Sequence, residues 1–128
     1  MPYTLDWEPK GVYWEYSGDV SGAEIIEAST AIYGDPRFDE LNYKLVNFLK
    51  ITSFDVQKMD IMMIASQHKA AALSNRRIKT AIVVNEPSPL LDAFIAQLSN
   101  SPWEVKAFNC LVEASTWLGR KFIPQFAD

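Results

Sequence analysis

The sequence predicts one α/β domain, residues 1–128, built on a five-stranded mixed sheet. Its centre is Lys79 to Asn85, where four apolar residues in a row are typical of a parallel strand covered on both faces. A methionine-rich helix, Met59 to Leu73, precedes this strand, and a second apolar helix, Pro89 to Leu98, follows it. A strand between two helical crossovers indicates an α/β architecture, and 128 residues suit a single domain.

The chain opens with a predicted β-hairpin. Tyr3 to Glu8 and Val12 to Tyr16 both alternate apolar and polar residues, and Pro9 to Gly11 supplies a turn between them. Gly18 is predicted to end the second strand. Because a hairpin pairs its strands antiparallel, we expect the first strand alone to run against its neighbour.

The first helix is predicted to run from about Gly22 to Tyr33. Ser21, followed three residues later by Glu24, forms a capping-box pattern before a run of apolar residues at helical spacing. Gly34 is expected to end this helix in the left-handed conformation, and Asp35-Pro36 cannot continue it.

The middle of the chain is predicted as a strand, a loop and the long helix. The third strand starts near Tyr43 and ends at Ile51, with a helix as the alternative for this stretch. Thr52 to Val56 is predicted as a loop in which Ser53 or Asp55 caps a helix from about Gln57 to Leu73.

The last third is predicted to contain two helices around one strand. Ser88 before a proline is a good cap for the third helix, and Trp103 to Phe108 alternates like a strand. Asn109 is expected to cap the final helix, and Gly119 to end it. The apolar residues expected to dock the tail on the body are Phe122, Ile123 and Phe126.

Composition excludes several classes of protein. A net charge of −4 with a pI near 5.0 argues against nucleic-acid binding, which needs a basic face. The single cysteine, Cys110, cannot form an internal disulfide, and the chain shows no export signal, so a cytoplasmic location is expected. The longest apolar run, Ile61 to Ala65, has five residues, far below the roughly 20 that span a bilayer.

Several motifs together resemble the SpoIIAA-like family, a bacterial group that shares its fold with STAS domains and lipid-carrying CRAL-TRIO domains. They are residues 11–18, 35–38, 81–84, 105–109 and 113–118, so the resemblance covers nearly all of 11–118. The resemblance implies a β-α superhelix in which adjacent strands are joined by right-handed crossovers and about four helices lie largely on one side of the sheet. A shared fold does not define the function.

The sequence departs from the phospho-switch regulators of STAS type at their switch. These proteins carry Asp-Ser or Asp-Thr and a glycine-containing turn before the helix that follows the third strand, whereas residues 53–58 have neither. The aspartate usual within the third strand is Asn47 here. We therefore predict that Ser53 is not a regulatory phosphorylation site.

No cluster of residues predicts catalysis, a cofactor or a metal. His68 is the only histidine, and its neighbours one helical turn away cannot bind a metal or orient an imidazole. Cys110 is interpreted as a small buried residue, and Asp60, five residues after Asp55, as a solvated one. No Gly-x-Ser-x-Gly elbow, phosphate loop or His-Glu-x-x-His pattern occurs, so a non-enzymatic protein is favoured.

The strongest functional signal is an excess of apolar residues on the second and third helices. Around Met59 to Ala65 the helix is apolar on all sides except at Asp60, which exceeds the stripe of an ordinary surface helix. Such a turn is either buried core, or it lines a cavity, a partner or a membrane, and methionine suits variable apolar guests. The predicted lining comprises Met59, Met62, Met63, Ile64, Leu90, Leu91, Phe94, Ile95 and Leu98.

Two functional hypotheses follow. The first is a carrier or sensor of a nonpolar or lipid-like molecule that touches the inner membrane surface through the two apolar helices. The cations expected to contact lipid headgroups, each contributing about 1 kcal/mol, are Lys69, Arg76, Arg77 and Lys79. The alternative is a STAS-type module without the phospho-switch serine, which would bind a protein partner or a second copy of itself.

Overall fold

The computed structural model describes residues 3–86 and 88–120. The strands and helices are β1 (Tyr3–Glu8), β2 (Gly11–Ser21), α1 (Gly22–Tyr33), β3 (Tyr43–Asp55), α2 (Lys58–Ser74), β4 (Lys79–Val83), α3 (Pro89–Gln97), β5 (Glu104–Phe108) and α4 (Leu111–Leu118), with a short 3-10 helix at Pro36–Glu40. The order of strands and longer helices is the predicted one. The predicted docking of Phe122, Ile123 and Phe126 lies outside the described residues.

The strands form one mixed sheet in the order β1-β2-β3-β4-β5. β1 pairs antiparallel with β2, and the other neighbouring strands pair in parallel. β4 lies inside the sheet, where Thr80 is the register partner of Lys44 on β3 and of Val105 on β5. The predicted mixed sheet and the interior position of the central strand are therefore confirmed.

The helices cover the two faces of the sheet unequally. α1, α2 and α3 pack over a large core on one face, and α4 packs over a smaller core on the other. Successive residues of a strand face opposite sides. Along β3, Leu45 therefore faces α4, whereas Lys44 and Val46 face the other three helices. This confirms the prediction that the helices lie largely on one side.

β2 and β3 are longer than the sequence predicted. Gly18 does not end β2 but lies within it, with a φ of 69°. β3 continues as far as Asp55, through most of the predicted loop Thr52 to Val56. The reason is non-local, because residues 17–21 of β2 stay paired with residues 50–55 of β3 after register shifts. We call these two paired segments the ribbon.

Two predicted helix starts are confirmed. The backbone N–H of Ser21 donates to Glu24 Oε1 at 2.9 Å, and that of Glu24 donates to Ser21 Oγ at 3.3 Å, which completes a capping box at α1. At α3, Ser88 Oγ accepts a hydrogen bond from the backbone N–H of Leu91 at 3.3 Å, and Pro89 occupies the first turn.

The start of α2 differs from the prediction. Asp60, predicted to be solvated, caps the helix by accepting a hydrogen bond from the backbone N–H of Gln57 at 2.9 Å. Ser53 and Asp55, the predicted caps, lie within β3 instead. Gly22 lies against this cap, since a Cβ there would approach the Asp60 carboxylate to within 2.3 Å, so the start of α2 depends on a close approach to α1.

Predictions at two other helix ends are also wrong. Gly34 follows α1 with a φ of −88°, outside the left-handed region. Cys110, rather than Asn109, immediately precedes α4, and its side chain is half-buried rather than buried. Gly119 after α4 does adopt the left-handed conformation, with a φ of 73°.

Candidate functional site

A cavity of about 590 Å³ lies between the sheet and helices α1, α2 and α3. The helices contribute Ile25, Ile61, Ile64, Leu91 and Phe94. The strands and the residue after β4 contribute Trp14, Tyr16, Val46, Phe48, Ile51, Ile82 and Val84. Exposed residues at the rim are Thr52, Phe54, Asn85 and Glu86. The walls are therefore mostly apolar and come from both the helices and the sheet.

The inner end of the cavity is polar. It is formed by Lys44 of β3, Thr80 of β4 and His68 of α2, and we call these three residues the floor. Lys44 is 1% exposed and Thr80 is fully buried, although the cavity-facing residues next to them, Val46 on β3 and Ile82 on β4, are apolar. Because side chains on one face of a strand recur every second residue, Val46 and Phe48 continue the wall from the floor towards the rim.

Lys44 contacts neutral groups at the floor. Its Nζ donates a hydrogen bond to Tyr33 Oη at 2.6 Å and lies 3.3 Å from His68 Nε2. Among the residues that the structure describes, no carboxylate pairs with it. A buried ammonium ion without a counter-ion is costly, so the floor favours either loss of the proton or arrival of an anion.

Aromatic rings surround the amine. Lys44 Nζ lies 4.4 Å from the centre of the Trp103 ring, 5.0 Å from that of Tyr33 and 5.9 Å from that of Trp14. Ring faces attract cations, which lowers the cost of the buried charge in part. The arrangement therefore keeps a basic group in an otherwise apolar interior.

Three buried polar atoms of the cavity have no hydrogen-bond partner among the described residues. They are Trp14 Nε1, His68 Nδ1 and Thr80 Oγ1. Buried polar groups in folded proteins are normally satisfied, and an unsatisfied donor or acceptor costs about 1–3 kcal/mol. Since all three residues line the cavity beside Lys44, the floor offers hydrogen bonds to a polar group that enters it.

Burial changes the proton affinity of the floor. It lowers the pKa of Lys44 well below the ordinary value of 10.5. Burial, assisted by the charge of nearby Lys44, also lowers the pKa of His68 well below 6.5. Both directions follow from desolvation, which disfavours the charged form of a base.

The predicted lining residues occupy three different environments. Ile64, Leu91 and Phe94 line the cavity. Leu98 is buried in the core, and Leu90 and Ile95 are half-buried against it. The methionines are exposed on the outer side of α2, by 73% at Met59, 58% at Met62 and 51% at Met63.

The predicted headgroup cations lie apart from the cavity, and none of them lines it. Arg77 donates hydrogen bonds to the backbone oxygen of Asp39 and to Asn42 Oδ1. Lys79 Nζ donates to the backbone oxygen of Trp117, on the α4 side of the sheet. Lys69 and Arg76 are exposed. Their contact with lipid headgroups stays a prediction.

Sequence reasoning missed Lys44 altogether and underestimated His68. The partners of His68 were sought one helical turn away, whereas its charged neighbour belongs to β3, 24 residues earlier in the sequence. A signal for Lys44 did exist. It stands two and four residues before Val46 and Phe48, a spacing that places a lysine on the apolar face of its strand.

The architecture is a SpoIIAA-like fold. An uncharacterized DUF3478-family protein with a SpoIIAA-like fold from Shewanella loihica matches with a TM-score of 0.51 and 14% identity, over 91% of each chain. The anti-sigma factor antagonist SpoIIAA in its unphosphorylated form matches with a TM-score of 0.54 and 18% identity, over 94% of this chain and 99% of its own. The phosphorylated form of SpoIIAA, a Bacillus cell fate determinant, gives a TM-score of 0.52 and 13% identity, over 91% of this chain and 98% of its own.

These likenesses extend to the fold alone, because the sequence identities are low. No protein-family model and no curated protein matches the chain. The three structures support the SpoIIAA-like and STAS part of the predicted resemblance and give no support to its CRAL-TRIO part. No helix within 3–86 or 88–120 is long and apolar enough to cross a membrane.

Proposed function

We propose that the protein is a non-enzymatic carrier or sensor that binds a mostly nonpolar small molecule in the cavity between the sheet and α1, α2 and α3. The observation that carries this proposal is the combination of apolar walls with a polar floor whose buried atoms lack partners. Small-molecule sites are typically concave, mostly apolar, fitted with a few polar groups, and about 300–1,000 Å³ in volume. At about 590 Å³ the cavity is within that range.

The outer side of α2 supports exchange of the molecule with an apolar surface. Met59, Met62 and Met63 are more than half exposed, while the opposite side of the same helix turn contributes Ile61 and Ile64 to the cavity. Exposed flexible apolar side chains beside a cavity suit a transient contact with a bilayer surface. The net charge of −4 limits attraction to anionic lipids, so the apolar contact would dominate.

Binding of the neutral dye Nile red tests the proposal. We expect the wild type to bind the dye with a blue shift of its emission, and Val46→Trp, which fills the cavity, to weaken binding at least about tenfold because small-molecule sites depend on the buried volume. Met62→Ser, on the outer side of α2, should bind like the wild type.

Circular dichroism and thermal unfolding would verify that both variants fold. Equal binding by wild type and Val46→Trp would contradict the proposal. Loss of binding in Met62→Ser alone would place the dye on the outer surface of α2 instead.

The second candidate function is a STAS-type protein-interaction module without a phosphorylated serine. The likeness to an anti-sigma factor antagonist favours it, as do the exposed methionines of α2. Ser53 Oγ donates a hydrogen bond to Asp19 Oδ1 at 2.7 Å, within the ribbon, and its lack of a regulatory phosphate stays a prediction. A hetero-complex that survives delipidation, in a protein that does not bind Nile red, would favour this candidate over the first.

A further inference from the structure

We propose that the floor of the cavity binds the carboxylate of an acyl-chain acid, with Lys44 as the counter-ion and the chain lying along the apolar walls. This inference rests on the proposed binding function and specifies the chemical class of the molecule. Its basis is the position of Lys44, which lines the cavity, is 1% exposed and contacts neutral groups.

The charge of the floor selects an anion. The groups that face Lys44 are Tyr33 of α1, His68 of α2, and the rings of Trp14 and Trp103. None of these is an acid stronger than a phenol, and burial raises the pKa of Tyr33 well above 10.0. A bound carboxylate would therefore supply the missing negative charge and favour the ammonium form of Lys44, whereas a cationic headgroup would disfavour it.

The hydrogen-bond donors at the floor and on Trp14 beside it match a carboxylate as well. Trp14 Nε1 can only donate, Thr80 Oγ1 can donate, and both are buried without partners. A carboxylate accepts through two oxygens and donates nothing, so it can satisfy Lys44, Trp14 and Thr80 at once. An alcohol or an ester offers fewer acceptor sites and no charge.

The shape of the walls fits an extended chain. From Lys44 towards the rim, β3 presents first Val46 and Phe48 to the cavity, and the corresponding residues after Thr80 are Ile82 and Val84. The four residue steps from Lys44 to Phe48 span about 13 Å along the strand. A medium acyl chain anchored at Lys44 would therefore remain in apolar surroundings as far as Phe48.

Calorimetric titration tests the assignment with decanoate, methyl decanoate, decanol and decyl phosphate. Wild-type protein should bind decanoate about ten- to a hundredfold more tightly than methyl decanoate, because a hydrogen bond to a charged group contributes that much. In Lys44→Met the preference for decanoate should disappear while decanol binding is kept. Lys69→Met, which removes an exposed lysine of α2, should behave like the wild type.

Proton uptake gives a second readout of the same assignment. Pairing with a carboxylate raises the pKa of Lys44, so at pH values between its folded pKa and 10.5 decanoate should draw up to one proton from the buffer, and decanol should draw none. Titrations in two buffers of different ionisation enthalpy measure this uptake. In a folded Lys44→Met variant the uptake should vanish.

The outcomes separate the two proposals. Equal affinity for decanoate and methyl decanoate, without proton uptake, would overturn the carboxylate assignment and leave the binding function standing. Tighter binding of decyl phosphate than of decanoate would overturn it in favour of a phosphate headgroup. Failure of all four compounds and of Nile red to bind would overturn both proposals.

Discussion

Lys44 occupies a position that its own strand otherwise gives to apolar side chains. The residues on the same face, Val46 and Phe48, are part of the cavity wall and the core. A buried base without a counter-ion destabilises the folded state. A residue that lowers stability where an apolar one would fit is typical of a functional site, because binding residues are often kept at a cost to stability.

Lys44→Met should therefore stabilise the protein at pH 7. Replacing buried ionic groups with apolar side chains of similar volume often adds about 1–4 kcal/mol to the free energy of unfolding. The folded pKa of Lys44 lies below the unfolded value of 10.5, so the unfolded chain binds more protons between these two values. The contribution of Lys44 to the free energy of unfolding of the wild type thus falls as the pH falls from 10.5 towards the folded pKa.

Urea denaturation at pH 7 and near pH 10 measures this effect. The advantage of Lys44→Met over the wild type should be larger at pH 7 and should shrink as the pH approaches 10.5. Lys69→Met serves as the exposed control and should leave stability nearly unchanged at both pH values. A variant that is less stable than the wild type at pH 7 would show that Lys44 contributes to stability rather than reducing it.

The helices and strands could be predicted in kind and order, and several of their ends as well, but the C-terminal ends of β2 and β3 and the cap of α2 could not. Periodicity and turn residues are local signals, and they were sufficient for β4, α1 and the opening hairpin. The ends of β2 and β3 depend on pairing between distant segments, which no local pattern shows. The cap of α2 was missed for the same reason, because the Asp60 side chain packs against Gly22 of α1, which is distant in the sequence.

Substitutions of Asp60 and of Gly22 should both affect the cap at the start of α2, so their effects on stability should be coupled. Asp60→Ala removes the cap of α2 and should cost about 0.5–2 kcal/mol of stability, the usual range for a lost cap. Gly22→Ala should displace the same carboxylate, because its Cβ would lie 2.3 Å from Asp60. In the Asp60→Ala background, Gly22→Ala should cost less than in the wild type, because the carboxylate is gone and only the Cβ of residue 60, at 2.6 Å, still has to shift.

A double-mutant cycle measured by chemical denaturation checks this coupling. The matched control pairs Asp60→Ala with Glu104→Ala, an exposed substitution on β5, which should be additive. Additive effects of Gly22→Ala and Asp60→Ala would indicate that the contact between α1 and α2 does not hold the cap.

A cluster of hydrogen bonds joins the end of β1 to Arg120, which follows α4. Arg120 donates to both carboxylate oxygens of Glu8 at 2.8 Å each and to Ser115 Oγ at 3.1 Å, and Tyr43 also donates to Glu8. This cluster links the opening hairpin to the residues that follow α4. None of it was predicted, because the two partners are 112 residues apart and each is an ordinary charged residue in the sequence.

Arg120→Lys should destabilise the whole domain although it conserves the charge. A lysine cannot donate in the planar fork that meets both oxygens of Glu8. The expected loss is about 1.5–3 kcal/mol, the contribution of hydrogen bonds to a charged group. Arg37→Lys tests the solvent-exposed pair with Asp35 and should change stability much less, because water screens that pair. Equal losses in the two variants, measured by thermal unfolding, would contradict this ranking.

The ribbon forms a part of the cavity wall where β3 no longer pairs with β4. β3 pairs with β4 only from Tyr43 to Asn47, whereas Ile51, Thr52 and Phe54 line the cavity beyond that point. Register shifts between β2 and β3 increase local twist. The ribbon therefore forms part of the entrance to the cavity without pairing to β4. Substitutions at residues 50–55 are therefore expected to change how wide a ligand the cavity admits, without changing the polar contacts that Lys44 makes with it.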